Sequence, residues 1–290
     1  MRFERAAGAL LGLAFGDALG APLEGARPPL RKVTEMQGGG IHHVRPGQYT
    51  DDTLQACALA QSLIHGRGFA PADFVSRLIR GYHAHPEFYG PTSRRVLDLI
   101  ETGVEPEAAA RAVHEAVGGS RSNGSVMRGV SIGIFYRPAL VRDVSMACSR
   151  LTHYDPVAGE SSAFINRMVS ELSRGASRGA AYERALAACR SDEVAALLGA
   201  YGRHPLVPSL DAVLCTHCAV AVFMRARNAA EAVITAVNLG GDADTVGAVT
   251  GALAGAAWGS GAFPLSWHRR VENREQLIGV ARALSAVSMP

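Results

Sequence analysis

Glycine recurs every four residues in two widely separated stretches, Gly8, Gly12, Gly16 and Gly20 near the beginning of the chain and Gly247, Gly251, Gly255 and Gly259 near its end. On an α-helix a four-residue interval returns to nearly the same face, so each stretch presents a strip of bare backbone. Two such helices can approach more closely than helices with ordinary side chains between them, which makes the two strips natural partners. A pair packed in this way would hold whatever it carries on rigid elements, as a preorganised site requires.

The remaining chain has the same helical character. Apolar residues fall three and four positions apart, as in Phe74, Leu78 and Ile79, in Val96, Leu97 and Ile100, and in Leu277, Val280 and Leu284. Alanine is abundant and alternating β-branched runs are nearly absent. Pro, Gly or His-Pro breaks separate the periodic blocks at residues 65 to 71, 85 to 91, 103 to 106, 118 to 124, 175 to 179 and 202 to 208. With 290 residues, 48% of them hydrophobic, the chain is long enough for one large core. We therefore expect an all-α fold, a compact orthogonal bundle of roughly a dozen helices, with residues 1–290 forming a single domain. No linker divides the chain and no fixed-period repeat suggests a solenoid.

Charge and cysteine usage narrow the function. Twenty-nine basic against 26 acidic residues leave a formal charge of +3, and the arginines are scattered, so nothing asks for nucleic acid. The most apolar run near the N-terminus, Ala6 to Leu23, is interrupted by Asp17 and by glycines, and no charged-then-apolar leader precedes it. We expect a cytoplasmic monomer with no membrane attachment. Five cysteines, Cys57, Cys148, Cys189, Cys215 and Cys218, lie in apolar segments. The Cys215–Cys218 pair brackets His217, but no second such pair exists and the surroundings read as a buried helix, so core packing is preferred over a zinc or redox site.

Two acidic clusters carry the chemistry, YTDDTLQA at residues 49 to 56 and NLGGDADTVGAV at residues 238 to 249. Weakly polar runs follow each, Leu54 to Ile64 and Val246 to Trp258, so each cluster is predicted to sit at a helix start. There the dipole and free backbone N–H groups favour anionic side chains. Asp and Thr are also ordinary N-caps, and either cluster taken singly fits that role. Against capping, a cap needs one oxygen while each cluster offers several, and Gly240 and Gly241 supply a flexible backbone before the second. Hard oxygens in this number suit Mg2+ or Mn2+. Asp17, a charge among Phe15, Ala18 and Leu19, either caps a neighbouring backbone or belongs to the polar site, and a supporting role is preferred, because a buried Asp without a partner is expensive. Glu24, beyond the stop at Pro22, is either solvent-exposed or a mobile carboxylate over the site.

Five blocks, GDALGAPLEG (16 to 25), YTDDT (49 to 53), SNGSVMRG (122 to 129), LTHYDP (151 to 156) and NLGGDADTVGAVTGALAGA (238 to 256), resemble the ADP-ribosylglycohydrolases in order and across nearly the whole chain. The resemblance implies an all-α fold with a binuclear Mg2+ or Mn2+ centre in a central cleft. It implies Thr50, Asp51, Asp52, Asp242, Asp244 and Thr245 as metal ligands, with Asp51 and Asp242 also counted as catalytic. Glu24 matches the family's mobile glutamate, the candidate acid/base. Ser122, Asn123, Gly124, Ser125, Met127 and Arg128 match the segment that contacts ADP-ribose, and His153 matches a supporting histidine. A capping loop is the structural alternative for residues 122–125.

What the resemblance implies is hydrolysis of the glycosidic bond between ADP-ribose and an acceptor on a protein, reversing mono-ADP-ribosylation with arginine as first-choice acceptor. Serine-linked and O-acetyl-ADP-ribose are the competing substrates. A non-catalytic ADP-ribose-binding or structural relative, and a metal-dependent phosphoesterase, are the other classes; a degenerate relative would be expected to lack an acidic ligand, and none is lacking. One departure bears on the leaving group. In the family's dinitrogenase-reductase-activating branch an aspartate precedes a glycine by two positions near the arginine-linked substrate, whereas this chain reads FYGPTSR with Phe88 in that place.

Overall fold

A computed structural model describes residues 2–289. The helices run in the order α1 (Arg2–Gly20), α2 (Asp51–Gly66), α3 (Pro71–Ala84), α4 (Pro91–Glu101), α5 (Pro106–Ala116), α6 (Gly124–Arg128), α7 (Val130–Phe135), α8 (Pro138–Arg150), α9 (Pro156–Ser173), α10 (Arg178–Ala188), α11 (Asp192–Gly199), α12 (Ala212–Arg225), α13 (Ala229–Val237), α14 (Ala243–Trp258), α15 (Leu265–Arg270) and α16 (Arg274–Val287), with 3-10 turns at Ala21–Leu23 and Ser260–Ala262. Among the described residues there is no strand, only isolated antiparallel bridges joining Gly39 to Val44 and Ser122 to Asp211. The expected all-α class is what forms. The helices exceed the expected dozen chiefly because three, α6, α7 and α15, are too short for apolar periodicity to reveal. Proline stands in the first turn of α3, α4, α5, α8 and α9, where its missing N–H is not needed.

The glycine strips do meet. α1 and α14 run antiparallel so that Gly8 faces Gly255, Gly12 faces Gly251 and Gly16 faces Gly247; a Cβ on any of these would overlap the opposing backbone. The register leaves Gly20 against Ala243 and Asp244 rather than against a fourth glycine. Gly259 lies outside the strip: its φ of 83° ends α14 instead, an ordinary use of glycine after a helix. By length and apolar composition Phe3–Leu23 could cross a membrane, but 94% of that window is buried inside the protein, as befits a core helix.

The core around this pair is completed by α9, buried from Ala158 to Ser173 except at Arg167, and by α12 and α13. Buried charges in this layer are paired: Arg142 grips Glu160 at 3.0 and 2.7 Å, and Glu171 accepts from Arg167 and Arg184. Cys215 and Cys218 are buried in the packing of α12, and the His217 imidazole reaches the Tyr201 carbonyl at 3.2 Å, so this stretch serves the core as expected.

Gly12→Ala or Gly251→Ala should each lower the unfolding free energy by about 2 kcal/mol or more, because neither backbone can retreat from the added methyl. Gly279→Ala, on a helical position where a Cβ meets nothing within 4 Å, should be neutral or stabilise by up to about 1 kcal/mol. Urea midpoints compare the three; equal values would mean that α1 and α14 can separate at no cost.

Candidate functional site

Both acidic clusters begin helices. Asp51 and Asp52 open α2, and Asp242 stands immediately before α14 with Asp244 and Thr245 in its first turn. Gly240 and Gly241 turn the chain into α14 with φ of 71° and 61°, a left-handed pair that side chains would disfavour. Neither Thr50 nor Asp242 caps its helix through a side chain. Glu105, Asp155, Ser177, Ser191, Asp211 and Asn228 do cap theirs. Other helices also start without a side-chain cap, but at α2 and α14 the cap-position oxygens are present and not spent on capping, so capping does not explain the two clusters.

Asp17 explains how α2 manages without one. From α1 its Oδ1 accepts from the Thr50 backbone N–H at 2.9 Å and hydroxyl at 2.8 Å. Its Oδ2 accepts from the Thr53 N–H at 3.0 Å and hydroxyl at 2.6 Å. A carboxylate on another helix thus supplies the cap, which fulfils the supporting role expected of Asp17. Thr50 spends its proton on Asp17 and keeps lone pairs for another partner; it does not line the cleft itself.

The cleft, about 210 Å3, is lined by Asp51, Asp52, Asp242, Asp244 and Thr245 together with Glu24. One oxygen each from Glu24, Asp242 and Asp244 lies within 4.8 Å of the others. Asp51 accepts from Gln55 at 2.8 Å, Asp242 accepts a short bond from Asn123, and Thr245 donates over a long 3.4 Å to Asp52. Glu24 Oε2, Asp52 Oδ2 and Asp244 Oδ1 are buried and accept no hydrogen bond among the described residues. Burial, followed by mutual repulsion, pushes Asp51, Asp52 and Asp244 well above the usual carboxylate range. Burial also lifts Asp17 and Asp242 to about 6, against the hydrogen bonds they accept. So many buried carboxyls must be neutralised by protons or by a cation. Hard carboxylate oxygens with orphaned lone pairs, with the Thr245 hydroxyl beside them, fit a divalent cation.

The loop before α6 divides. Ser122, Asn123, Gly124 and Met127 line the cleft, as does His153. A Cβ at Gly124 would come 2.7 Å from His153 Cε1, so loop and histidine fit only without a side chain there. His153 is buried and held neutral, lowered to about 3 by desolvation, with Nδ1 2.8 Å from the Thr152 hydroxyl. Two expected substrate contacts face elsewhere. Ser125 donates to the Ala158 carbonyl. Arg128 is wholly buried, donating to the Cys148 carbonyl at 2.9 Å and, at 3.4 Å, to Gln55, and it lies over the Phe74 ring. It reaches Asp51 only through Gln55 and does not line the cleft. Asn123 has a second task in fixing Asp242.

Three elements of the cleft carry no sequence signal that marks them: the stretch Gly90–Ser93, Leu210 and His42. His42 Nε2 lies 2.8 Å from Glu24 Oε2, a contact that raises the imidazole's pKa against the opposing effect of burial. Phe88, 6% exposed, lines the cleft and meets the His42 ring edge-on at 5.5 Å. Only spatial proximity distinguishes His42 from its neighbour His43, and sequence does not carry it.

The sequence model of the ADP-ribosylglycohydrolase family matches residues 1–289. An ADP-ribosylarginine hydrolase of Serratia proteamaculans is 30% identical across 97% of this chain and 79% of its own length. The ADP-ribosyl-[dinitrogen reductase] glycohydrolase of Rhodospirillum rubrum is 30% identical across 93% of this chain and 90% of its own. Among solved structures, an ADP-ribosylglycohydrolase-related protein complex superposes with a TM-score of 0.86 at 36% identity, covering 99% of both chains.

The raised carboxyls set a pH dependence. With folded-state values of about 6 against an ordinary 3.8 for Asp17 and Asp242, their protonated forms add stability that is complete below the ordinary value and lost as pH rises through about 6. A cation that displaces those protons should add most where they are already lost. Calorimetry with saturating Mg2+ or with EDTA should show a difference in Tm that widens from pH 5 to pH 7.5; a pH-independent difference would mean that the cluster does not take up the cation.

Proposed function

The chain belongs to the ADP-ribosylglycohydrolase family, and on that premise we propose that it is a divalent-metal-dependent hydrolase that cleaves the bond between ribose C1 of ADP-ribose and an acceptor. Arginine side chains are the first-choice acceptor, in line with the activity named for the Serratia relative. The observation that carries this reading is the set of buried oxygens at two helix starts, unused for capping and open to one cleft beside Glu24.

Thr50, Asp51, Asp52, Asp242, Asp244 and Thr245 would hold two Mg2+ or Mn2+ ions, whose charge would orient the ribose hydroxyls and lower the pKa of a nearby water. Ser122, Gly124 and Met127 form the wall against which ADP-ribose lies, and His153, neutral, offers a nitrogen that can exchange hydrogen bonds without adding charge. Bond cleavage builds positive charge on the ribose ring, and the surrounding carboxylates stabilise that charge. Glu24 can take a proton from the attacking water, and the same carboxyl can return one to the departing atom. Asn123 and Gln55 keep Asp242 and Asp51 aimed inward through the transfer.

A second reading concerns the leaving group. Phe88 occupies the place where a carboxylate would meet a guanidinium, and Glu87 is exposed beside His85. A missing charge-assisted bond costs about 1.5–3 kcal/mol, partly offset by stacking of a cation on the ring. This favours O-linked ADP-ribose as the alternative substrate class.

Asp244→Asn should abolish turnover and metal-induced stabilisation while far-ultraviolet circular dichroism stays at the parental level; near-normal rates would remove Asp244 from the ligand set. Glu24→Gln should lower kcat by about 10²- to 10⁴-fold, the span of general acid–base catalysis, with little change in calorimetric ADP-ribose affinity. Turnover of ADP-ribosyl-arginine, ADP-ribosyl-serine and O-acetyl-ADP-ribose, each with and without EDTA, tests the whole reading. Arginine slower than an O-linked substrate by more than about tenfold, a difference of about 1.4 kcal/mol, would reverse the order of acceptors.

A further inference from the structure

We propose that His42 is a positioning residue that holds the Glu24 carboxylate over Asp242 and Asp244. This deepens the hydrolase reading and rests on Glu24 acting there as acid and base.

The backbone at Glu24 is already tied to the second cluster. Gly25 N–H donates to the Gly241 carbonyl at 2.7 Å, and Gly241 N–H donates to the Ala26 carbonyl at 2.8 Å. These bonds fix where the side chain starts but not where its head group goes. Glu24 is partly exposed, and its carboxylate faces those of Asp242 and Asp244 within 4.8 Å. Like charges at that distance drive a flexible side chain outward toward water. Its head group is met by His42, whose Nε2 lies 2.8 Å from Oε2 as an ion pair, off the direction of a regular hydrogen bond; the attraction of the imidazole opposes the repulsion and leaves the second carboxylate oxygen free for water or the leaving atom.

His42 is itself built into place. It lies in a tight hairpin closed by Gly39 N–H to the Val44 carbonyl at 2.8 Å and Val44 N–H to the Gly39 carbonyl at 3.0 Å. The hairpin rests on the turn that leads into Glu24, for a Cβ at Gly40 would stand 2.7 Å from the Ala21 carbonyl oxygen. Val44 anchors it in a buried cluster with Ala21 and Phe88. The Phe88 ring then meets the imidazole edge-on, with planes 86° apart. Imidazole and carboxylate are thus delivered by one continuous piece of packing. The adjacent His43 points to solvent with φ of 50°, which makes it an internal control.

The test uses the full chain, assayed with the best ADP-ribosyl substrate. His42→Ala should lower kcat tenfold or more with KM and calorimetric ADP-ribose affinity within twofold of the parent. His42→Gln, which keeps a donor near the Nε2 position, should recover a large part of that loss, and His43→Asn should match the parent. In a Glu24→Gln background, adding His42→Ala should cost nothing further. Losses that multiply in the double variant, or a rise in KM with kcat intact, would overturn the proposal. A parent that turns over no ADP-ribosyl compound defeats the hydrolase reading but not the contact. The contact is read separately from the His42 imidazole 15N resonances, which should move on Glu24→Gln; unmoved resonances would overturn it.

Discussion

The close approach of α1 to α14 is the contact on which the rest of the molecule depends. Because Gly12 and Gly251 face each other with no side chain between them, the two helix axes are set by backbone against backbone, which has far less freedom to adjust than interdigitated side chains. That rigidity is exported to the site from one end of α1. Gly20 abuts Ala243 and Asp244 at the start of α14, and Asp17, one turn earlier, receives the start of α2 through its bonds to Thr50 and Thr53. One helix therefore holds both acidic helix starts, by shape on one side and by hydrogen bonds on the other.

Holding them there is costly. Burying Asp51, Asp52, Asp242 and Asp244 in one cleft, with no arginine among the described residues that line it, raises their pKa values through desolvation first, the opposite of what a structural ion pair does. Elsewhere the fold follows the usual rule: Glu160 and Glu171, equally deep, are met by Arg142, Arg167 and Arg184. Arg128 makes the contrast sharper. It is wholly buried, yet it stops at Gln55 rather than reaching Asp51, so its guanidinium does not neutralise that carboxyl. Such an electrostatic cost persists only because the surrounding core over-determines the arrangement.

Much of this was legible in the sequence because it follows from periodicity and residue type. A four-residue glycine interval can only be a stripe, and several hard oxygens at a helix start exceed what a cap requires. Gly259 shows the limit of the first argument: spacing continued past the last helical residue, and only the backbone angle reveals that the glycine terminates α14. Ser125 and Arg128 show another limit. A loop motif identifies which segment reaches the cleft, but the helical turn that begins within it carries successive side chains around its axis, and that phase depends on where α6 starts. His42 lay beyond reach for a third reason, since its partner is set by a hairpin whose bonds join residues that composition and periodicity do not single out.

Phe88 shows how specificity and architecture are tied together. Considered alone, an aromatic in place of a carboxylate looks like a change of acceptor preference. In the fold the same ring closes a small apolar cluster with Ala21 and Val44, supports the edge of His42, and stacks against His85. Placing an aspartate there would remove burial worth about 1.5–3 kcal/mol and set a further negative charge beside Glu24, whose neighbours are already acidic. The imidazole would then have two carboxylates competing for it. An aspartate at this position therefore requires a different arrangement of the Gly39–Val44 hairpin, so this wall of the cleft and the contact between His42 and Glu24 must change together.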